Sequence, residues 1–199
     1  MRTMRTPLLI ATLTVGAVVS VHSVELTPME RSHLVAHLEM TGSWLVDEVS
    51  NLSQEQLAFR PSPGVWSIME VVEHLVVVGP IYWNDLQKAL QGRPTKRILT
   101  SRDEDILWYG IDRTRREVAI PSERPPGSLR DISSALKTYR TQHAQLLDYV
   151  RTTKDDLRRY LVDRQLCDAY QWALLISTHE QRHILQIREI KAHSSYPKK

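Results

Sequence analysis

The segment STHEQRHILQI, residues 177–187, carries two histidines four positions apart within an apolar repeat. If the segment is helical, His179 and His183 lie one turn apart, so both imidazoles point the same way and can bind one metal ion. The same letters spell H-E-x-x-H, in which Glu180 would be the general base of a zinc protease. The rest of the chain decides between a protease and another fold built on a histidine-bearing helix.

The apolar spacing around these histidines predicts a buried helical face. That face consists of Trp172, Ile176, His179, His183, Ile187 and Ile190, and a second one consists of Val71, His74, Leu75, Val78 and Tyr82. Three imidazoles thus face one interior. Burying an imidazole without a polar partner costs about 1–3 kcal/mol, and one divalent cation could be the partner of all three. For His74 alone, the alternative is a core histidine hydrogen-bonded to a backbone carbonyl.

Capping residues and apolar periodicity predict four long helices, and no alternating strand pattern of useful length appears. The predicted helices span about residues 28–50, 67–91, 129–152 and 169–193, and their caps are Thr27, Ser67, Ser128 and Asp168. Gly79 and Pro80 interrupt the second helix, where we expect a kink rather than an end because apolar spacing resumes beyond them.

A long connection, residues 93–127, separates the second helix from the third and contains Trp108, Tyr109 and a proline cluster. Its length allows the chain to return to its starting end, so these two helices can run parallel to each other. Long connections in compact domains often serve as lids or binding loops. The alternative is a proline-stiffened cover over the bundle with Trp108 packed inward.

The sequence beyond His183 disfavours the zinc protease. A metzincin continuation needs glycine at position 186 and histidine at position 189, where this chain has Gln186 and Glu189. No strand pattern supplies a substrate-binding edge either. His33 and His37 repeat the spacing of the metal-ligand pair, but we expect His33 to face solvent, which makes that pair a poor metal site.

The first 23 residues are typical of a secretory signal peptide, which leaves one domain over residues 24–199. Two arginines precede an apolar run at residues 8–21 that is shorter than the about 20 residues needed to span a bilayer. We therefore expect cleavage near Ser23, a periplasmic or secreted protein, and no stable membrane span after cleavage. The mature chain is long enough for a single well-buried core.

The charge balance gives no reason to expect a nucleic acid partner. The chain has 26 Lys and Arg against 23 Asp and Glu, and removal of residues 1–23 deletes two arginines and no acid. The short basic stretch DRTRREV, residues 112–118, resembles a solvated loop more than a phosphate-binding strip. The single Cys167 cannot form an internal disulfide and is more typical of a packed small residue than of a nucleophile.

Two longer segments, FRPSPGVWSIMEVVEHL at residues 59–75 and LCDAYQWALLISTHEQRHILQIREIKAHSSYPK at residues 166–198, resemble the DinB-like (YfiT-like) superfamily of metal-dependent enzymes. The resemblance implies an all-α four-helix bundle of up-down-down-up connection, with a long loop between the second and third helices. It also implies a divalent metal, most often zinc or nickel, held by one histidine of the second helix and an H-x-x-x-H pair of the fourth. The corresponding residues here are His74, His179 and His183, without Glu180.

Relatives in that superfamily include thiol S-transferases that use bacillithiol or mycothiol, and a mycothiol-dependent isomerase. Export would separate this chain from a cytosolic thiol pool, so hydrolysis by an activated water is the more general expectation. We expect a metal-dependent hydrolase or thiol S-transferase with a small-molecule substrate. Arg182 and Gln186 flank the ligands and either orient the substrate or make a salt bridge and a solvent contact. The alternative is a non-catalytic metal-binding bundle, and a homodimer is open in both cases.

Overall fold

The computed structural model describes residues 25–95, 101–163 and 167–198, so the predicted signal peptide lies outside it. The helices are α1 Pro28–Val49, α2 Gln54–Ala58, α3 Ile68–Leu90, α4 Asp103–Ile111, α5 Ile132–Thr152 and α6 Ala169–Lys191. Short 3-10 turns occupy Pro121–Glu123 and Leu157–Arg159, and β1 (Leu161–Val162) pairs antiparallel with β2 (Cys167–Asp168). Within these ranges, every helix falls short of the length and hydrophobicity that a membrane span requires.

The two helices at the ends of the chain, α1 and α6, run in the same direction. Thr41 of α1 donates a hydrogen bond to Glu180 of α6 over 2.9 Å. Further along both helices, Glu48 pairs with Arg188 and Lys191 at 2.6 and 2.7 Å. Contacts that advance together along the two sequences require parallel helices.

The middle two helices of the bundle, α3 and α5, are also parallel to each other. Near the start of α3, Glu73 accepts hydrogen bonds from the backbone just before α5 begins, at residues 127–129. Farther along, Gln142 of α5 donates to the carbonyl oxygen of Val76 at 3.2 Å. The long connection therefore returns the chain to its starting end, as the sequence predicts.

Helices α3 and α6 run antiparallel, which completes the topology. The ring centroids of Tyr82 and Trp172 lie 5.1 Å apart, and so do those of His74 and His179. The earlier residue of α3 thus meets the later residue of α6. These directions confirm the predicted all-α bundle of up-down-down-up connection.

Three of the four predicted caps are confirmed, and the third helix begins later than expected. Thr27, Ser67 and Asp168 each accept from a backbone N–H of the first turn in a capping box. Ser128 does not cap α5, because its backbone N–H and hydroxyl both donate to Glu73. Asp131 is the cap instead, accepting from two N–H groups, and α5 starts at Ile132. Helix α3 continues through Pro80 without ending.

The long connection contains an additional helix, α4, that packs against α6. Ile106 and Gly110 lie one turn apart and are buried in this contact. A Cβ atom on Gly110 would lie 2.8 Å from the side-chain oxygen of Gln181, so glycine permits the close approach. Trp108 is 63% exposed, so the alternative in which it packs inward is wrong.

A polar layer divides the apolar core at mid-height. One apolar cluster includes Leu38, Val78, Leu146 and Trp172, and the other includes Leu45, Val71, Tyr139 and Ile187. Between them along the four long helices stand Thr41, His74, His143 and His179. The helices therefore place their polar side chains at one level, which is where the candidate site lies.

Candidate metal centre

The structure brings together the three histidines predicted as ligands. Nε2 of His179 lies 3.3 Å from Nε2 of His74 and 3.2 Å from Nε2 of His183. One ring nitrogen from each residue lies within 4.8 Å of the other two. The residues are 2%, 7% and 9% exposed in the order His74, His179 and His183, so the group is almost enclosed. His33 and His37 do not belong to it.

Hydrogen bonds on the far side of two rings orient their free nitrogens toward the centre of the group. Nδ1 of His74 donates to the carbonyl oxygen of Glu123 at 2.6 Å. Nδ1 of His183 donates to the side-chain oxygen of Gln186 at 2.8 Å, so Gln186 orients a predicted ligand and does not contact solvent alone. Each acceptor holds the proton on Nδ1, which leaves Nε2 with a lone pair for a cation.

Burial keeps these rings neutral. It lowers the pKa of His74 to about 4, and no other cause is as large. Burial also lowers the pKa of His183, and the neighbouring imidazoles of His179 and His74 lower it further. Near pH 7 both rings are therefore in the form that binds a metal ion.

Aromatic side chains fix the ring planes. The indole of Trp66 lies 5.0 Å from the ring of His74 and stacks on His183 at 6.2 Å with an interplanar angle of 18°. The ring of Tyr82 lies 5.4 Å from that of His179. These contacts restrict rotation of all three imidazoles, so the site is preorganised.

Glu180, the acid within H-E-x-x-H, points to the other side of α6. Its carboxylate accepts from the hydroxyl of Thr41 at 2.9 Å and from Nδ1 of His143 at 3.3 Å. It also interacts with the Tyr139 hydroxyl. Glu180 does not belong to the converging group, so the protease-like spelling coincides with a different arrangement.

The cluster around Glu180 joins α1, α5 and α6. Ser177 Oγ lies 2.7 Å from Nδ1 of His37 and 2.9 Å from Thr41 Oγ1. Burial alone would lower the pKa of His143, but the Glu180 carboxylate raises it above its usual value. The cluster therefore contains a buried pair of a carboxylate and an imidazole with a raised affinity for a proton.

Glu73, the acid beside His74, also faces away from the three-histidine group and anchors the connection that covers it. It accepts from the backbone N–H groups of Gly127, Ser128 and Leu129, each at 2.8 Å. Burial would raise its pKa, but these hydrogen bonds and that of the Ser128 hydroxyl bring it below its usual value. A charged Glu73 thus holds the end of the connection close to His74.

Arg182 binds the middle of the connection through hydrogen bonds to its backbone. The sequence left two roles for this residue, a salt bridge or a contact with substrate. The buried guanidinium donates to the carbonyl oxygens of Tyr109, Asp112 and Arg115. Its centre lies 4.9 Å from the ring centroid of Tyr109. Residues 101–128 therefore form a fastened cover over the histidines, and we call this segment the cover.

Cys167 lies in β2 and is buried. Burial, together with the charge of Asp168, raises the pKa of its thiol to about 12. The thiol is therefore protonated near pH 7 and is a poor nucleophile, as the sequence indicates.

Known proteins resemble this chain in sequence and in fold. The DinB superfamily profile matches residues 37–187. The uncharacterized protein YuaE of Bacillus subtilis (strain 168) is 29% identical over 148 residues, which cover 73% of this chain and 89% of YuaE. Among solved structures, YfiT from Bacillus subtilis has a TM-score of 0.59 and 17% identity, covering 87% of this chain and 93% of YfiT. YfiT is described as a probable metal-dependent hydrolase with an unusual four-helix bundle topology.

Proposed function

This chain belongs to the DinB superfamily, and on that premise we propose that it is a metal-dependent hydrolase whose His74, His179 and His183 hold one divalent cation. The convergence of three Nε2 atoms, at 3.2 and 3.3 Å from that of His179, carries the proposal. Nε2 of His74 and Nε2 of His183 each have a free lone pair, and a cation shared with Nε2 of His179 would stabilise nitrogen atoms this close together.

The chemistry of the donor set fits a transition metal. Three neutral imidazoles suit zinc or nickel better than magnesium or calcium, which prefer oxygen ligands. Three protein ligands leave an open position in a tetrahedral site. A divalent cation there supplies Lewis-acid chemistry, which lowers the pKa of a coordinated water or thiol.

The surrounding carboxylates do not neutralise such a cation. Glu73 is engaged with the backbone of the cover, and Glu180 with the polar cluster on the opposite side of α6. The site would therefore keep a net positive charge, which favours a hydroxide or an anionic substrate group at the open position.

Hydrolysis is favoured over thiol transfer because export, indicated by the signal-like residues 1–23, would separate the chain from a cytosolic thiol pool, and the chain has no reactive thiol to take its place. Cys167 is its sole cysteine and is buried and protonated. The description of YfiT as a probable metal-dependent hydrolase supports the same choice. The near-complete enclosure of the three rings favours the second candidate, a non-catalytic metal-binding bundle.

Metal analysis of purified variants tests the site. We expect about one divalent ion per chain in the wild type and nearly none in His183→Ala or His74→Ala, because each change removes one of three ligands. His33→Ala, at an exposed histidine on α1, is the matched control and should retain the metal. Equal metal content in His74→Ala and the wild type would refute the proposed site.

Turnover assays separate the functions. The metal-loaded wild type should hydrolyse members of an ester, amide and carbamate panel without added thiol, and His183→Ala should not. Turnover that requires a low-molecular-weight thiol would identify a transferase instead. A full metal complement with no turnover in any assay would support the non-catalytic bundle.

We also propose that the chain is exported to the periplasm or secreted, on the basis of the signal-like residues 1–23. N-terminal sequencing of protein from the extracytoplasmic fraction should give a start near Val24. An intact Met1 in cytoplasmic protein would contradict export and would remove the objection to a cytosolic thiol cofactor.

A further inference from the structure

A proline inside α3 deprives one backbone carbonyl of its helical partner. The helix continues through Pro80, which has no backbone N–H. In an α-helix, that N–H would donate to the carbonyl oxygen of Val76, four residues earlier. Val76 lies two residues after His74, so the missing hydrogen bond falls in the helical turn that carries one of the three histidines.

The side chain of Gln142 on α5 replaces that bond. Its Nε2 donates to the carbonyl oxygen of Val76 at 3.2 Å. Glycine at position 79 makes the room, because a Cβ there would lie 2.5 Å from Oε1 of Gln142 and 3.0 Å from its Cδ. The Gly79-Pro80 pair thus removes one donor from the helix and admits another from outside it.

The orientation of the Gln142 carboxamide leaves its oxygen unsatisfied. Oε1 is buried and accepts no hydrogen bond from the described residues. Rotation of the carboxamide would not help, since it would set Oε1 against the carbonyl oxygen of Val76, and two acceptors repel each other. A buried acceptor without a partner destabilises the fold. A contact that is kept in spite of this loss indicates a role in positioning.

The turn that carries His74 is held by three contacts. Glu73 binds the backbone at the end of the cover, and Nδ1 of His74 donates to the carbonyl oxygen of Glu123. Both of these contacts are made with the cover. The third, from Gln142 to Val76, joins the turn to α5, one of the four long helices. Gln142 therefore restrains the turn independently of the cover.

Helix α3 contacts His179 on both sides of Pro80. Before the proline, Nε2 of His74 lies 3.3 Å from Nε2 of His179, and after it the ring of Tyr82 lies 5.4 Å from that of His179. Helices bend at proline because one backbone hydrogen bond is missing there. The hydrogen bond from Gln142 therefore restrains the part of α3 that carries His74 at the point where the helix itself is weakest.

We propose that Gln142 is a positioning residue, which holds His74 where its Nε2 can share a cation with the two histidines of α6. This inference rests on the proposed metal site. Such a site needs its ligands within about 0.5 Å of their required positions, so a small displacement of the α3 turn is enough to weaken binding. Loss of the hydrogen bond to Val76 should permit that displacement.

The substitution Gln142→Met tests this role, because methionine has a similar length and cannot donate a hydrogen bond. In the full-length protein, zinc affinity from chelator competition should fall by about tenfold, the lower end of the loss expected when a contact that orients a ligand is removed. The visible absorption spectrum of the cobalt(II)-loaded variant should also change, since it reports ligand geometry. Gln145→Met, at an exposed glutamine on the same helix, is the matched control and should alter neither measurement.

A double variant separates positioning from simple satisfaction of the Val76 carbonyl. Pro80→Ala supplies the missing backbone N–H, so adding it to Gln142→Met gives that carbonyl a partner without a bond to α5. Urea unfolding should show that the double variant is more stable than Gln142→Met, while its zinc affinity stays about tenfold below that of the wild type. Recovery of wild-type zinc affinity in the double variant would overturn the proposal.

Gly79→Ala provides a second route to the same loss. Its Cβ would occupy the space of the Gln142 carboxamide, so zinc affinity should fall although the glutamine is still present. A wild type that binds zinc no more tightly than Gln142→Met and Gly79→Ala would overturn the positioning role and leave the three-histidine site intact. Failure of the wild type to bind zinc or cobalt would instead refute the proposed site itself.

Discussion

The Glu180→Ala substitution separates the structural role of this acid from a catalytic one. The carboxylate is 8% exposed and lies among the side chains of Thr41, His143 and Tyr139. Alanine removes the counter-charge of His143 and one acceptor for each hydroxyl. We expect a large loss of stability, because these groups stay buried when their acceptor is gone.

The magnitude follows from the burial of the pair. Breaking a buried charged pair by removing one partner costs about 3–5 kcal/mol. For a chain of this length, each kcal/mol lowers the Tm by roughly 2–4 °C, so a decrease of about 10 °C is expected. The nitrogen atoms of the three-histidine group keep their positions, because the carboxylate contacts none of them.

Urea unfolding at pH 7 and metal analysis of the folded protein measure both effects. Glu189→Ala is the matched control, since Glu189 is an exposed acid on the same helix whose pair with Arg113 contributes at most about 1 kcal/mol. Loss of metal in Glu180→Ala without loss of stability would refute the reasoning. Wild-type peptide cleavage that disappears in Glu180→Ala would make Glu180 a general base and restore the zinc protease.

Three further substitutions probe the support of the site. Gln186→Ala should weaken metal affinity by about 10–100-fold in chelator competition, because the carboxamide orients a ligand, and unchanged affinity would exclude that role. The pair of protonated His143 with Glu180 contributes to the free energy of unfolding of the wild type in full below pH 6.5, and this contribution is lost as pH rises through the raised pKa of the folded state. His143→Gln should remove it, so plots of unfolding free energy against pH for the two proteins should converge at alkaline pH. Gly110→Ala should push α4 away from Thr178, lower the free energy of unfolding by about 1–3 kcal/mol and speed proteolysis of residues 101–128. Equal rates of proteolysis in the variant and the wild type would show that this contact does not hold the cover in place.

The long helices could be predicted because their signals are local. Thr27, Ser67 and Asp168 are followed three residues later by Glu or Gln, and apolar periodicity then extends over five or six turns. The predicted start of α5 was wrong because Ser128 and Asp131 are both residue types that cap helices well. The choice between them depends on the hydrogen bonds of Ser128 to Glu73, which is distant in sequence. Helix α4 was missed because its buried face consists of two residues, too few to establish a period.

The convergence of the three histidines could be predicted, but the contacts that support them could not. Histidines within apolar helical faces can be recognised from their spacing in the sequence. The acceptor for His74 cannot, because it is the backbone carbonyl of Glu123, a group that every residue has. A signal for Gln186 was available, since it lies three residues after His183 on the same helical face. Thr41 and His143 also interrupt apolar stripes, which would have predicted the polar layer.

The parallel arrangement of α3 and α5 has a consequence for how this architecture can diversify. To return along α3, which spans Ile68–Leu90, an extended chain needs only about ten residues, whereas residues 91–131 are available. Most of these residues are therefore not needed to connect the two helices. The cover, residues 101–128, lies over a histidine group that is built entirely from α3 and α6. The length and composition of this connection can therefore change in evolution without moving the three histidines. Members of one family could acquire different binding preferences through changes in this connection alone.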